Sequence, residues 1–275
     1  MQLAGPGVFG PPSDPEAARA VLRRAVELGV DHIDTSQYYG PDVVNELIRE
    51  ALHPYPDNLK LVSKVGGRRD DQGAWLPALS PAELRQGVDD NLRTLGVEQL
   101  ALVNLRIMEE GGVPTPEQLG TMEDLRQEGK IAAIGVSNVS VAGLDAAREL
   151  IDVGQVQNAY SIVNREHEDL LERCRDLNIP FVPFFPLGSA FTGGPKALAA
   201  DPAIASVAAK HGASPSQIAL AWLLGTYDRT LLIPGTSSVA HLEENLAAGD
   251  HTLDAEDLQT LEGVKLLGDP LSAHE

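Results

Sequence analysis

The chain has 275 residues, of which 43% are hydrophobic and 22% charged, a balance typical of a globular protein. Forty acidic against 21 basic residues give a formal net charge of −19, so nucleic acid and anionic membrane surfaces are poor partners. The sequence shows neither an apolar run of roughly 20 residues nor a secretory signal pattern. The single cysteine, Cys174, excludes an intrachain disulfide. We therefore expect a cytoplasmic protein.

Four helix starts share one pattern along the chain. Each combines a hydroxyl N-cap, a proline in the first turn and a Glu or Gln that can close a capping box. They are Ser13–Glu16, Ser80–Glu83, Thr115–Gln118 and Ser214–Gln217. Glycines that suit a left-handed C-cap follow three helices, at Gly29, Gly96 and Gly129.

Short apolar segments alternate with these helices and predict eight strands. They are Met1–Ala4, Val30–Asp34, Leu59–Val65, Leu100–Ile107, Ile131–Val136, Gln155–Ala159, Ile179–Phe184 and Thr230–Ile233. Alternation of this kind implies parallel strands with right-handed crossovers. Eight such units favour one α/β domain over residues 1–275, a (β/α)8 TIM barrel. An open doubly wound sheet is less favoured, because no linker or composition break divides the chain.

Polar residues follow the predicted strands, at the end of a barrel where catalytic residues usually lie. Any one of them alone is typical of a loop or cap residue, whereas together they indicate an active site. They include Asp34 to Gly40, Ser63-Lys64, Asn104 and Arg106, Ser137-Asn138, Gln157-Asn158, Phe184 and Pro234 to Ser238.

The chain resembles the aldo-keto reductases along almost its whole length. The matching motifs are Asp34-Thr35-Ser36 with Tyr39-Gly40, Lys64, Gly135 to Asn138, and Ile233 to Ser238 with Glu244-Asn245. Three further stretches are similar to the bacterial pyridoxal reductase (pyridoxine 4-dehydrogenase) branch of the family. These are Met1–Pro12, Val103–Arg106 and Phe184–Gly188.

This resemblance implies an NADP(H)-dependent oxidoreductase that reduces a small aldehyde or ketone, with pyridoxal as the best single substrate. The partner is a small-molecule carbonyl compound, and the protein is expected to be a monomer or weak homo-oligomer. Tyr39 is the expected proton donor. Free tyrosine has a pKa of about 10, and we expect the Lys64 ammonium, held by Asp34, to lower it. Tyr38 is expected to be a packing residue or pocket wall.

The fourth catalytic position departs from the family pattern. Most members have histidine there, whereas this chain has Arg106. A fixed cation can orient a carbonyl oxygen and stabilise negative charge, although Arg106 could instead be a salt-bridged structural residue. Asn104 and Trp75 are candidate substrate residues, and Trp75 could equally be a loop anchor.

The resemblance also implies how the cofactor is held. Ser137, Asn138 and Gln157 are expected at the nicotinamide carboxamide, and Phe184 at the face of its ring. The remaining candidates for cofactor binding are Pro186, Leu187, Gly188, Gly235, Thr236, Ser237, His241, Glu244 and Asn245. Backbone N–H groups at 235–237, just before a helix, suit a phosphate. The positions that commonly supply Lys and Arg to a 2′-phosphate are Gly235 and His241 here. We predict no metal, because His167 and Cys174 lack metal-ligand spacing.

Two features of the N-terminal segment need interpretation. Gly5 to Gly10 match G-x-G-x-x-G, but Pro11-Pro12 separate this stretch from the next helix, so we interpret it as the first βα loop. Members of the family usually carry a hairpin before the first strand. This chain begins inside that strand, so we expect a barrel without the capping hairpin.

Two other functions stay open. Some members of the family are non-catalytic NADPH-binding sensors or regulatory subunits, and the altered fourth position is compatible with that role. The second of these hypotheses is a barrel isomerase or aldolase that forms a Schiff base at Lys64. It is less favoured, because a lysine paired with Asp34 is a poor amine nucleophile.

Overall fold

The computed structural model describes residues 1–108, 111–189 and 193–267. These residues form two compact units. The first contains Met1–Val156 and Gly235–Val239, and the second contains Gln157–Pro234 and the residues from Ala240 onward. The prediction of a single domain over residues 1–275 stays a prediction.

The first unit alternates strands and helices. In chain order its elements are α1 (Pro15–Glu27), β1 (His32–Asp34), α2 (Val43–Leu52), β2 (Lys60–Val65), β3 (Gly67–Arg69), β4 (Trp75–Pro77), α3 (Pro81–Leu95), β5 (Leu102–Arg106), α4 (Pro116–Gln127), β6 (Ile134–Ser137), α5 (Val141–Arg148) and the start of β7 (Val153–Ala159). Five of the predicted strands are confirmed here to within three residues at each end.

Five strands of this unit belong to one sheet in the order β1-β2-β5-β6-β7, in which β1, β2, β5 and β6 pair in parallel. Asp34 is level with Val62, Lys64 with Asn104, and Arg106 with Ser137. Because the strands are parallel, their carboxyl ends lie at one edge of the sheet. The polar residues at these ends are thereby brought together.

Helix α3 shows how sequence pattern becomes packing. Ser80 and Glu83 form the predicted capping box, and Gly96 ends the helix in the left-handed region at φ 70°. Leu84, Val88 and Leu95 are fully buried, and each such side chain contributes about 1.5–3 kcal/mol of burial free energy.

The other predicted helix starts are confirmed with one correction. Thr115 and Ser214 form the expected capping boxes. At α1, however, the N-cap is Asp14 rather than Ser13, because the Asp14 carboxylate accepts the hydrogen bond from Ala17 N at 2.9 Å. Gly29 and Gly129 have positive φ, as expected.

A short antiparallel hairpin, β3 with β4, was not among the predicted strands. It follows Gly66, which has a φ of 108° and lies against the backbone of Arg106. Both features require glycine, because a Cβ at this position would lie 2.2 Å from Arg106 O. The Asp70 carboxylate closes the hairpin turn by accepting from Gln72 N and Ala74 N at 2.9 and 2.8 Å. The hairpin therefore extends the chain directly from the end of β2.

The segment before α1 corrects one strand prediction. Met1–Ala4 forms a turn in which Ala4 N donates to Met1 O at 3.1 Å, so these backbone groups bond locally instead of to a neighbouring strand. A short 3-10 turn at Pro6–Val8 follows, and α1 begins only at Pro15. The sequence predicted that the glycine-rich stretch does not open directly into a helix, and the structure agrees.

The second unit contains the end of β7 and the elements that follow it. They are α6 (Glu168–Leu177), β8 (Phe181–Phe184), α7 (Gly194–Ala200), α8 (Pro202–His211), α9 (Pro215–Thr226), α10 (Val239–Leu246, from its second residue) and α11 (Ala255–Leu261). The predicted strand at Thr230–Ile233 is wrong. Only Thr230 bridges to Phe181, and the backbone pairing ends with the bond from Leu231 N to Phe181 O at 3.0 Å.

Candidate active site

A buried ion pair lies at the ends of the first two strands. Lys64 Nζ is 2.5 Å from Asp34 Oδ1 and donates to Thr35 O at 2.9 Å. Both charged side chains are about 5% exposed. Removing two charges from water is costly unless each is paired and hydrogen-bonded. This geometry supplies that pairing, so the ammonium is held in one place.

Tyr39 lies in the turn that follows β1 and is buried, with 6% of its surface exposed. Its N–H donates to Ser36 O at 3.1 Å, and its carbonyl accepts from Val44 N at the start of α2. Gly40 is at φ 98° and is bonded to the loop at Val8 and Gly10. These bonds fix the position of the tyrosine backbone.

The electrostatics around Tyr39 differ from the expectation. Lys64 Nζ lies over the face of the Tyr39 ring, 4.9 Å from its centroid. Burial raises the pKa of Tyr39 well above its usual value, Asp34 raises it further, and the cation that lowers it is Arg106. Among the charged groups that act on the pKa of Tyr39, Arg106 rather than Lys64 is thus the cation that lowers it.

Arg106 ends β5 beside Ser137, the last residue of β6. Arg106 Nη1 lies 3.4 Å from Ser137 Oγ, and the serine is fully buried. Asn138, the next residue, is at φ 58°, and its amide donates to Ile107 O at 2.7 Å. A non-glycine residue in this region is uncommon and is often found at functional sites.

Asn104 lies one inward step before Arg106 and is fully buried. Its amide donates to Ser63 O at 3.4 Å and accepts from Gln155 Nε2 at 3.1 Å. Gly135 leaves room for it, since a Cβ there would lie 2.2 Å from Asn104 Oδ1. These contacts are those of a buried structural amide, and the substrate role of Asn104 stays a prediction.

A buried polar network behind the strand ends was missed at the sequence level. Its centre is Asn91 of α3, which accepts from Asn45 Nδ2 at 2.9 Å and from Ser63 Oγ at 2.7 Å, and donates to Gln37 Oε1 at 2.7 Å. Thr35 Oγ1 donates to Asn45 Oδ1 at 2.7 Å. The signal was present, because two asparagines interrupt the apolar faces of α2 and α3.

An aromatic cluster extends from Tyr39 to the hairpin. Tyr38 contacts Tyr39 and Trp75 edge-to-face, with ring centroids 5.3 and 5.6 Å apart. Trp75 is 42% exposed. The expectation that Tyr38 packs in the pocket wall fits this arrangement.

Arg69 fastens Trp75 in this cluster. Its guanidinium carbon lies 4.0 Å from the Trp75 ring centroid, and the guanidinium donates to the carbonyls of Gly7, Val8 and Gly73 at 2.6–3.0 Å. The loop-anchor and substrate readings of Trp75 are thus compatible, since the anchored ring is also partly exposed.

The candidate phosphate segment of the first unit is Gly235 to Ser238, which precedes α10 in the chain. Gly235 and Ser237 are exposed. Thr236 Oγ1 accepts from Ser238 N at 3.1 Å, which folds the segment into a turn. The segment carries hydroxyls and backbone N–H groups, and the chemistry of this set of donors fits a phosphate.

The second unit holds the other cofactor candidates. Gln157 on β7 is fully buried, and Phe184 ends β8 with its ring edge-to-face to Phe185, the centroids being 5.1 Å apart. Phe185 is at φ 56°, and Gly188 N donates to Phe185 O at 2.9 Å. The chain therefore turns sharply at Pro186 and Leu187.

The α10 candidates have different surroundings. His241 is exposed and Asn245 is half-buried. Glu244 accepts a short hydrogen bond from Ser214 Oγ, and its carbonyl accepts from Gln217 Nε2 at 3.1 Å. This carboxylate thus joins α10 to the capping box of α9. Its expected contact with adenine stays a prediction.

Metal-binding clusters and membrane-crossing helices are absent from the described residues. Within 1–108, 111–189 and 193–267 no group of three or more His, Cys, Asp or Glu side chains could hold a metal ion. No helix in the described part of the chain is long and apolar enough to cross a membrane.

Comparison with known proteins decides the family. The model of the aldo/keto reductase family matches residues 1–265. The chain belongs to the aldo/keto reductase family. Its fold class is therefore the predicted (β/α)8 barrel rather than an open doubly wound sheet, and it is an oxidoreductase.

Among its relatives, the chain is 49% identical over 269 residues to pyridoxine 4-dehydrogenase from Escherichia coli (strain K12), covering 96% of this chain and 92% of that protein. The resemblance to this branch is confirmed. An aldo-keto reductase from Klebsiella pneumoniae, solved in complex with NADPH, has a TM-score of 0.80 and 27% identity, covering 94% of this chain and 88% of that one. A second structure of an aldo/keto reductase from that organism, with NADP and acetate, has a TM-score of 0.78 and 27% identity, covering 95% and 87%.

Proposed function

We propose that this chain is an NADP(H)-dependent carbonyl reductase whose substrate is a small aldehyde, pyridoxal being the best single candidate. The observation that carries the proposal is the group formed by Tyr39, the Lys64–Asp34 pair and Arg106 at neighbouring strand ends. A phenol, a buried ammonium and a guanidinium in one place supply what reduction of a carbonyl requires of the protein.

Tyr39 donates the proton in this reaction. The phenol is protonated at neutral pH, so the proton is present when the carbonyl oxygen becomes an alkoxide, although the raised pKa makes it a weaker acid than free tyrosine. Arg106 then favours the phenolate that remains, because its positive charge lowers the pKa of Tyr39. A nicotinamide, when bound, supplies the hydride.

The Lys64–Asp34 pair positions the phenol. The ammonium lies over the ring face of Tyr39, where it is attracted to the negative face of the aromatic system. Asp34 and the carbonyl of Thr35 hold that ammonium in place by accepting its hydrogen bonds. The ring is thus held in one orientation before the substrate arrives.

The set of donors fits a nicotinamide dinucleotide. In the first unit Ser137 and Asn138 offer a hydroxyl and an amide beside Arg106, and the segment 235–238 offers hydroxyls for phosphate. In the second unit Gln157 and Phe184 offer a buried amide and an aromatic face. NADP(H) is favoured because similar reductases were solved with NADP or NADPH.

Pyridoxal as substrate is supported by the 49% identity to pyridoxine 4-dehydrogenase. A partly exposed Trp75 beside Tyr38 and Tyr39 adds a surface suited to a flat heteroaromatic ring.

The test is turnover of pyridoxal by the purified chain with NADPH, followed by the loss of NADPH absorbance, with NADH in a parallel reaction. We expect saturable reduction that Tyr39→Phe abolishes. Tight NADPH binding with no turnover of pyridoxal or of a panel of simple aldehydes would instead favour the non-catalytic sensor. Borohydride trapping of a substrate on Lys64 would favour the Schiff-base reading.

A further inference from the structure

The hydroxyl of Tyr38 is a buried polar group without a hydrogen-bond partner among the described residues. The side chain is 4% exposed, and Oη is shielded from solvent. Of the effects that act on the pKa of Tyr38, the smallest is a side-chain interaction with Ser36, which lowers that pKa. The two hydroxyls are not joined by a hydrogen bond of normal geometry. Ser36 Oγ itself donates to Lys64 O at 3.0 Å. Such orphaned groups destabilise the folded state and are rare in native proteins, so this one calls for an explanation.

The location of Tyr38 connects this hydroxyl with the reaction. Its ring contacts the ring of Tyr39, the proposed proton donor, on one side and that of Trp75 on the other. The backbone of Gly67 lies against the ring, since a Cβ there would meet Tyr38 Cε1 at 3.5 Å. The side chain is therefore confined between the proton donor and the exposed aromatic surface.

The protonation state of Tyr38 makes the hydroxyl a donor. Burial and the neighbouring Tyr39 raise the pKa of Tyr38 to about 12, against the charges of Lys64 and Arg106, which act to lower it. At neutral pH the proton is present. The hydroxyl therefore has a hydrogen to donate and receives no acceptor from the described residues.

We propose that Tyr38 is a specificity-determining residue whose hydroxyl donates a hydrogen bond to an oxygen substituent next to the carbonyl group on an aromatic ring of the substrate. The substrate class is a hydroxylated aromatic or heteroaromatic aldehyde. Trp75, fastened by Arg69, contacts the ring while Tyr39 protonates the carbonyl oxygen. This inference rests on the proposed reductase function and adds a selection rule to it.

Two aldehydes that differ by one hydroxyl test the inference. They are 3-hydroxypyridine-4-carbaldehyde and pyridine-4-carbaldehyde, each assayed with NADPH. We expect the wild-type protein to prefer the hydroxylated aldehyde in kcat/KM. In Tyr38→Phe that preference should fall about tenfold, which corresponds to the loss of one hydrogen bond.

Tyr55→Phe is the matched control. Tyr55 Oη donates to Leu95 O at 2.7 Å, so this hydroxyl has a structural partner. The control should leave the substrate preference unchanged and lower Tm, because Leu95 O loses its donor. Tyr38→Phe should keep or raise Tm, because it removes an orphaned hydroxyl. A hydroxyl with a purely structural role would lower Tm in both variants.

The outcomes separate the two proposals. If the wild-type protein reduces both aldehydes and Tyr38→Phe leaves their ratio unchanged, the role of Tyr38 is overturned while the reductase function stands. If the wild-type protein reduces neither these aldehydes nor pyridoxal, the proposed function fails and this inference fails with it.

Discussion

Lys64 Nζ lies over the ring of Tyr39, 4.9 Å from the ring centroid. The ammonium is turned toward Asp34, with which it shares a 2.5 Å contact. In the proposed reductase, Lys64 therefore helps to fix the position of the tyrosine ring. Asp34 fixes Lys64 in turn, so the three side chains depend on one another.

The first prediction concerns this dependence. Lys64→Met leaves the buried Asp34 carboxylate without its cation, and we expect a loss of about 3 kcal/mol in the free energy of unfolding, measured with urea. Asp34→Asn combined with Lys64→Met should recover part of that loss, because no charge is left unpaired. Activity should be lost in both variants.

The exposed pair Lys130–Asp89, with an Nζ–Oδ1 distance of 2.6 Å, provides the control. Lys130→Met should cost less than about 1 kcal/mol. Equal losses for Lys64→Met and Lys130→Met would contradict the importance assigned to burial.

The second prediction concerns Arg106 and the pH dependence of catalysis. Arg106 lowers the pKa of Tyr39, so Arg106→Met should raise it. Reduction requires the protonated phenol and declines as pH rises through this pKa. The alkaline decline should therefore move to higher pH in Arg106→Met, and kcat should fall, because the developing phenolate loses its cation.

Arg106→Lys keeps the positive charge and is the matched control. It should hold the alkaline limb of kcat against pH close to that of the wild-type protein. An unchanged limb in Arg106→Met would show that this guanidinium does not act on the catalytic phenol.

The third prediction concerns the buried network around Asn91. Asn91→Ala removes the partner of Asn45, Ser63 and Gln37 together, and we expect a loss of about 3 kcal/mol in the free energy of unfolding. Gln86→Ala on the exposed face of the same helix should cost less than about 0.5 kcal/mol. A small loss for Asn91→Ala would mean that water replaces the amide.

The strand ends could be predicted because they follow a simple rule of the fold. Asp34, Lys64 and Arg106 each lie at or next to the end of an apolar segment, and parallel pairing brings such ends to one edge. The family motifs added the choice of Tyr39 over Tyr38, which spacing alone did not give.

What the sequence left out depends on three-dimensional contact. Asn45 of α2 and Asn91 of α3 are separated in the chain by three strands, and their bond forms only when α2 packs beside α3. The hairpin of Arg69 and Trp75 is too short to show a strand period. Thr230–Ile233 has the composition of a strand, but only Thr230 forms a β-bridge.

The direction of the Tyr39 shift was missed for a related reason. From sequence, Lys64 was the obvious cation, because the motif places it near the tyrosine. The direction in which its side chain points is set by Asp34, the last residue of the neighbouring strand, and by the carbonyl of Thr35, which follows it. Arg106 was then the cation left to act on the phenol.

The fourth prediction concerns acid stability and Asp257, a buried residue at the start of α11. Its carboxylate is 2.7 Å from both Lys210 Nζ and His211 Nε2, and it accepts from Asp254 N at 3.0 Å. These bonds, that of Lys210 first, hold the pKa of Asp257 far below its usual value. A carboxyl whose pKa is lowered by folding stabilises the protein above its unfolded pKa, which is about 3.9. This stabilisation is lost as pH falls through the lower, folded value.

Asp257→Asn should therefore lower the free energy of unfolding most at neutral pH, and its difference from the wild-type protein should shrink in acid below about pH 4. The exposed Asp71→Asn should show no such dependence. Urea unfolding across the acid range measures both, and a constant difference at every pH would show that Asp257 stabilises the fold by its shape rather than by its charge.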